Sequence, residues 1–205
     1  MVKEGFPFVI VPALVAMFLA YFELWLFAGI FAFIALFMTY FFRDPYRESP
    51  RGEGLILAAA DGTVTRIDDD ERGKLVSVFM SPLDVHINRS PIAGSVARAE
   101  YIPGKKNPAT SNNASLTNER NTLTIESEGL SVHCTQIAGI MARRIVCWAR
   151  EGDELEQGEK FGLIKFSSRT DVLMPSNVEI QVKIGDHVKG GETIIARIAR
   201  QEPAV

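Results

Sequence analysis

The chain has 205 residues, 47% of them hydrophobic and 23% charged, which allows one sizeable domain plus an attachment and argues against disorder. A formal net charge of −3 offers no general case for nucleic-acid binding. Two cysteines, Cys134 and Cys147, make neither a metal spacing nor a disulfide framework, so a reducing, intracellular location is the simpler reading and no metal is expected.

Most of the apolar excess lies in the first 42 residues. Phe6 to Phe22 is an uncharged run of 17 residues and Leu24 to Phe42 one of 19, with only Glu23 between them. At 1.5 Å per residue these make roughly 25 and 28 Å of helix, against a hydrocarbon core of about 30 Å. With Lys3 before them and Arg43, Arg47 and Arg51 after them, they predict a hydrophobic helical hairpin with both ends on the cytoplasmic side of a membrane. The second run follows the first at once and no small-residue cleavage site separates it from Arg43, which argues against a cleaved signal peptide. Pro12 disturbs the first helix and Glu23 at the tip must reach far-side water, so a spanning and a re-entrant hairpin both stay open. Residues 1–51 form the membrane-anchoring hairpin and basic neck, whose arginines are read first as interfacial anchors, and residues 52–205 a second domain.

From Leu55 onward short apolar runs alternate with Gly, Asp and Pro turns. Strands are predicted near Leu55 to Ala60, Thr63 to Ile67, Leu75 to Met80, Ser95 to Ile102, Thr122 to Glu126, Leu130 to Ile137, Arg144 to Ala149 and Val178 to Ile184. No long amphipathic helix is expected. An internal repeat matches Gly152-Asp153-x-Leu155-x-x-Gly158-Glu159-x-Phe161 to Gly185-Asp186-x-Val188-x-x-Gly191-Glu192-x-Ile194 at an offset of 33 residues. Such units look like those of lipoyl and biotinyl domains. The fold class is therefore mainly β, a flattened barrel or sandwich with these turn repeats, behind the helical hairpin.

Several stretches carry candidate chemistry. Between the two repeat units stands Phe166-Ser167-Ser168-Arg169-Thr170-Asp171, which taken alone reads as a polar turn, with the strand-to-strand bend there a place to hold a reactive group. His86, in Met80-Ser81-Pro82-Leu83-Asp84-Val85-His86-Ile87-Asn88-Arg89-Ser90-Pro91, reads alone as a strand residue, with Asp84 on its face two residues earlier. His133 reads as a half-buried strand histidine and His187 as a solvent-facing turn residue. Asp61-Gly62 is first of all a hairpin turn. Arg143 and Arg144, in Ala138-Gly139-Ile140-Met141-Ala142-Arg143-Arg144-Ile145-Val146-Cys147, suit structural charge on a barrel turn or an anionic head group equally. Phe41-Phe42-Arg43-Asp44-Pro45 closes the hairpin.

Together these stretches resemble the phosphatidylserine decarboxylases, in the short form found in archaea and many bacteria, from about Phe41 to Ile198. In that family a Gly-Ser bond breaks itself. A serine hydroxyl attacks the preceding carbonyl to give an ester, β-elimination releases the upstream chain, and the resulting dehydroalanine hydrolyses to a pyruvoyl group. The resemblance implies that Ser168 is this serine, His86 the base that activates it, and Asp61 the third member of an Asp-His-Ser triad. Asp84 is the rival partner for His86. The pyruvoyl ketone can form a Schiff base with a substrate amine and accept the electrons left when carbon dioxide departs. Many long-form members carry a second histidine where this chain has Arg89, which becomes a candidate, beside Arg143 and Arg144, for a lipid phosphate or the serine carboxylate; a surface salt bridge explains Arg89 equally.

Ser167 stands where the family has glycine, the residue that leaves the attacked carbonyl unhindered. The expectation is an uncleaved proenzyme. The function implied is decarboxylation of phosphatidylserine, or of archaetidylserine, to the ethanolamine lipid, with the membrane lipid and the bilayer as partners and a homo-oligomer left open. Two other readings compete. A biotinyl or lipoyl carrier displays a lysine on a hairpin, and Leu173-Met174-Pro175-Ser176-Asn177 offers none. A membrane-anchored β scaffold without chemistry predicts that Ser168 and His86 matter only to local stability.

Overall fold

The two N-terminal apolar runs form helices α1 (Phe6–Tyr21) and α2 (Trp25–Phe41) in the computed structural model, which describes residues 1–105, 107–111, 113–127, 129–140, 144–166 and 168–199. They belong to a compact unit, Met1–Tyr46, and the rest of the chain to a second, Arg47–Val205. A short 3-10 turn, Lys3–Gly5, leads into α1, where Pro7 sits in the first turn and needs no donor there. The helix runs on through Pro12 rather than ending at it. Glu23, with φ of 61°, makes the reversal, and the Val2 N–H donates to the Phe42 carbonyl at 3.1 Å to close the open end. Lys3–Tyr21 has 19 residues and a mean hydropathy of 1.8, enough to cross a membrane, and only 11% of that stretch is buried. Trp25–Phe41 is shorter at 17 residues.

The second unit is built of strands. They are β1 (Leu55–Leu57), β2 (Gly62–Asp70), β3 (Gly73–Met80), β4 (Ile87–Arg89) and β5 (Gly94–Ile102), then β6 (Arg120–Ser127), β7 (Leu130–Ala138), β8 (Arg144–Cys147) and β9 (Glu154–Leu155). After these come β10 (Lys160–Lys165), β11 (Ser168–Met174), β12 (Val178–Ile180), β13 (His187–Val188) and β14 (Ile194–Ile198), and one helical turn, α3 (Ala114–Thr117), interrupts the loop between β5 and β6. Strand makes up 42% and helix 21% of the described residues, so the class is mainly β, a curled half-barrel sheet with an apolar helix pair. The large sheet runs β13-β2-β3-β11-β7-β6-β5-β9, and two three-stranded sheets, β1-β14-β12 and β4-β10-β8, accompany it.

The sequence repeat marks an internal symmetry of the large sheet. The turn glycines match in pairs, Gly152 with Gly185 at φ of 91° and 96°, and Gly158 with Gly191 at 80° and 76°, where a side chain would be strained. Each unit clamps the strand next to a sheet edge in the same way. Val96 donates to Asp153 at 2.8 Å and Gly152 to Val96 at 2.9 Å, while Val64 donates to Asp186 at 2.9 Å and Gly185 to Val64 at 2.8 Å. The register of β2 slips between Val64 and Arg66, and that of β5 at the equivalent Val96 and Arg98. Strands β11 and β7 therefore lie at the middle of a sheet whose two halves are alike, over a core that includes Val64, Val78, Val96, Leu123, Val132, Phe161 and Ile195.

The sequence reading placed no strand over β9, β10, β11, β13 or β14. The Asp61-Gly62 pair is also not a hairpin turn. Strand β1 pairs with β14, whereas β2 pairs with β13 and β3, so the pair is a bend where the chain passes between sheets. Gly62 is required there because a Cβ would fall 2.1 Å from the Phe79 carbonyl oxygen.

Candidate active site

Ser168 is the first residue of β11 and fully buried. It lies between Met80, the last residue of β3, and Ala138, the last of β7. Because β11 runs antiparallel to both, its start and their ends share one end of the sheet. The Ser168 hydroxyl is 3.9 Å from the Met80 sulfur. The expected bend is Phe166, whose φ of 67° is a left-handed conformation rare for a bulky residue, and Ser168 itself already belongs to the strand. Ser167 lies outside the described residues.

A chain of buried polar side chains holds His86 at this end. Asn88 donates to the Thr170 hydroxyl at 2.8 Å, Gln136 donates to the Asn88 carbonyl oxygen at 2.8 Å, and Asn121 donates to Gln136 at 3.1 Å. Asn88 pairs with Gly162 of β10, and the His86 carbonyl accepts from the Ile164 N–H at 3.2 Å. His86 stands two residues before Asn88, and Ser168 two before Thr170, the two partners of that hydrogen bond. The His86 ring is buried, and its Nδ1 lies 2.9 Å from the Asp84 carbonyl oxygen. A carbonyl only accepts, so Nδ1 carries the proton and Nε2 is the basic nitrogen of the neutral ring.

Asp84 therefore meets His86 through its main chain. Its carboxylate accepts from the Ser81 N–H at 2.8 Å and hydroxyl at 2.7 Å, and faces His187 Nε2 at 3.5 Å. His187 is exposed as expected, and half-buried His133 meets Thr124 across the sheet at 3.0 Å.

Asp61 reaches the same end from β2, since Thr63 pairs with Phe79, one residue before Met80. Its Oδ1 accepts from the Gly190 N–H at 2.9 Å and its Oδ2 from Arg47 at 2.6 Å. Arg47 also donates to Glu192 at 2.8 Å and holds that carboxyl below the usual glutamate value. The expectation of an interfacial anchor is corrected for Arg47, whose side chain is 9% exposed and turned inward onto two carboxylates.

Arg89 is buried rather than at the surface, and its Nη1 donates to the Gly158 carbonyl at 3.0 Å. Gly191 packs so close that a Cβ there would sit 2.7 Å from Arg89 Cδ, so Arg89 is wedged between the Gly-Glu turns of both repeats. Arg144 is exposed at the start of β8, and Arg143 lies outside the described residues. Burial pushes both the Cys134 and Cys147 thiols above their ordinary values, which leaves neither suited to act as a nucleophile. Among the described residues no group of three or more His, Cys, Asp or Glu side chains could hold a metal ion.

Sequence reasoning missed the Arg169–Asp171 pair and the Asn88–Thr170–Gln136–Asn121 chain. Arg169 and Asp171 stand two apart on one strand face, which is a readable signal; the polar chain joins four strands and has none.

The model of the phosphatidylserine decarboxylase family matches residues 34–196. A phosphatidylserine decarboxylase proenzyme of Symbiobacterium thermophilum is 45% identical, over 96% of this chain and 94% of its own length. Proenzymes of the same name from Syntrophus aciditrophicus and Geotalea uraniireducens are 42% and 40% identical, over 93% and 94% of this chain and 94% and 93% of theirs. With that cover, the chain belongs to the phosphatidylserine decarboxylase family of carboxy-lyases.

Proposed function

We propose that this chain cleaves itself before Ser168 and then decarboxylates phosphatidylserine, or its archaeal ether counterpart archaetidylserine, at a membrane, with Ser167 holding the present sequence in the uncleaved state. The observation that supports the reading is the buried Asn88–Thr170 hydrogen bond, which ties the segment of His86 to the strand that Ser168 opens. In self-cleavage His86 takes the Ser168 hydroxyl proton through Nε2, while the Asp84 carbonyl holds the ring in the required tautomer. Asp61 stabilises the charge that develops on the ring, and Arg47 and the Gly190 N–H fix its carboxylate. The hydroxyl attacks the residue 167 carbonyl, the amide becomes an ester, and elimination frees the upstream fragment with its new carboxylate and leaves dehydroalanine at 168, whose hydrolysis takes up water and releases ammonia to give the pyruvoyl ketone.

The site suits the group that results. A break before Ser168 leaves β11 paired to β3 and β7 from Arg169 to Leu173, so the new terminus stays in place. The pyruvoyl group supplies an electrophilic carbonyl that binds the substrate amine and accepts the electrons of the departing carboxylate. His86 then moves a proton at the substrate carbon, and exposed Arg144 is the candidate for the anionic head group. The hairpin holds the catalytic unit at the cytoplasmic face, where its substrate resides.

Intact mass of the chain beside a Ser167→Gly version, each supplied with phosphatidylserine, tests this. The glycine version should split after residue 167, yield a pyruvoyl-blocked smaller fragment and release carbon dioxide. If both chains stay whole and neither acts on the lipid, self-processing is wrong and a non-catalytic scaffold remains.

A further inference from the structure

Every loop that leaves the Ser168 end of the large sheet is fixed by the strand directions. Strands β3 and β7 end there at Met80 and Ala138, and β11 begins there. Ile102 at the end of β5 pairs with Arg120 at the start of β6, which itself pairs with Ile137, so the long loop between β5 and β6 belongs to the same end. Each of three loops carries an exposed apolar side chain within three residues of these anchors or of an Arg169 contact. They are Leu83 after β3, Leu116 between β5 and β6, and Ile140 after β7, exposed by 62%, 72% and 61%. Away from the hairpin, most other large apolar side chains of the described residues are buried in the core.

Described residues of these loops are anchored by hydrogen bonds. Arg169 donates to the carbonyls of Ala109 and Ser111 at 3.0 and 3.3 Å and to the Ser115 hydroxyl, one residue before Leu116. Asn118 donates to the Ala138 carbonyl at 2.8 Å, which ties the Leu116 loop to the base of the Ile140 loop. Exposed Lys105 and Arg144 stand at the same end. Of the carboxylates nearby, Glu119 is buried and Asp84 is bound by Ser81.

We infer that this rim is a membrane-docking surface, in which Leu83, Leu116 and Ile140 enter the interface of an anionic bilayer and bring the Ser168 end of the sheet onto the lipid plane. Exposed apolar tips ringed by cations suit the boundary between head groups and acyl chains, with burial and attraction to anionic lipid acting together. The inference rests on the proposed reaction only in taking a bilayer lipid as substrate. The hairpin tethers the chain, and the rim lets a substrate head group reach the buried end of β11 without leaving the membrane.

The test uses the full chain in vesicles of phosphatidylserine and brominated phosphatidylcholine, in a Trp25→Phe/Trp148→Phe background. Fluorescence of Leu116→Trp should be quenched severalfold more than that of Ser127→Trp, at the turn between β6 and β7 on the opposite end of the sheet. Equal quenching overturns the inference. In the Ser167→Gly chain, Leu83→Ser/Leu116→Ser/Ile140→Ser should lower turnover of vesicle phosphatidylserine by about tenfold and retain turnover of a short-chain phosphatidylserine present as monomers. A loss shared by both substrates, or by neither, counts against it. The quenching needs no activity, so a parent Ser167→Gly chain inert toward both lipids would sink the proposed reaction and leave the docking result to be judged by itself.

Discussion

The Arg169 guanidinium lies bidentate on the Asp171 carboxylate, at 2.8 Å from Nε and 3.0 Å from Nη2, with both residues buried in the strand that begins at Ser168. Its remaining donors hold the loop from Ala109 to Ser115. Removing one partner of a buried pair strands the other charge, so Arg169→Ala should cost about 3–5 kcal/mol of unfolding free energy. Replacing both residues by apolar ones, Arg169→Met with Asp171→Leu, should cost less than the single change. Denaturant unfolding in detergent checks the order; a double variant as weak as the single one would show that the loop contacts, not the pair, carry the stability.

The Asn88–Thr170 hydrogen bond separates positioning from chemistry. Thr170→Val keeps the shape and leaves the Asn88 amide without its 2.8 Å acceptor, at a cost of about 1–3 kcal/mol. In a Ser167→Gly background it should slow fragment formation without stopping it, because His86 is displaced and not removed. His86→Ala should leave the chain whole by mass. If Thr170→Val cleaves at the parent rate while losing stability, the polar chain is structural only and does not position His86.

Much of this arrangement is legible in the sequence, for reasons that differ from place to place. The hairpin follows from composition, and the repeat from glycines that must sit at positive φ, such as Gly152 and Gly185. Strand β11 was hidden because it is buried on both faces and filled with Arg169, Thr170 and Asp171, so it shows neither alternation nor an apolar run. Gly62 misled for a physical reason: it answers to the Phe79 carbonyl on a neighbouring strand and not to a turn. Ser168 and His86 stood out through resemblance alone, since nothing local marks a serine that faces a methionine sulfur at the end of a sheet.

Glu192 makes a sign-definite pH prediction. The Arg47 hydrogen bond lowers its folded value below that of the unfolded chain, so its contribution is complete above the ordinary glutamate value and is lost as pH falls through the lowered one. The side chain is 31% exposed, which limits the contribution to about 1 kcal/mol or less. Glu192→Gln should therefore reduce stability at neutral pH by that amount and make the decline between about pH 5 and pH 3 shallower. Unfolding curves across that range that keep the parent slope would assign the acid sensitivity to other carboxylates.

Arg89 distinguishes a lipid ligand from a brace. With its Nη1 on the Gly158 carbonyl and its Cδ against Gly191, it locks together the Gly-Glu turns of the two repeats. Arg89→Ala opens that wedge and frees a buried carbonyl, for a loss of about 2–4 kcal/mol. Gly191→Ala should also destabilise, since φ of 76° disfavours a side chain and the new Cβ would meet Arg89. Neither change should alter the KM for phosphatidylserine in protein that still folds and matures. An Arg89→Ala enzyme with parent stability and a raised KM would return Arg89 to the substrate and leave the junction of the repeats to backbone contacts such as that between Gly191 and Ala58 at 2.8 Å.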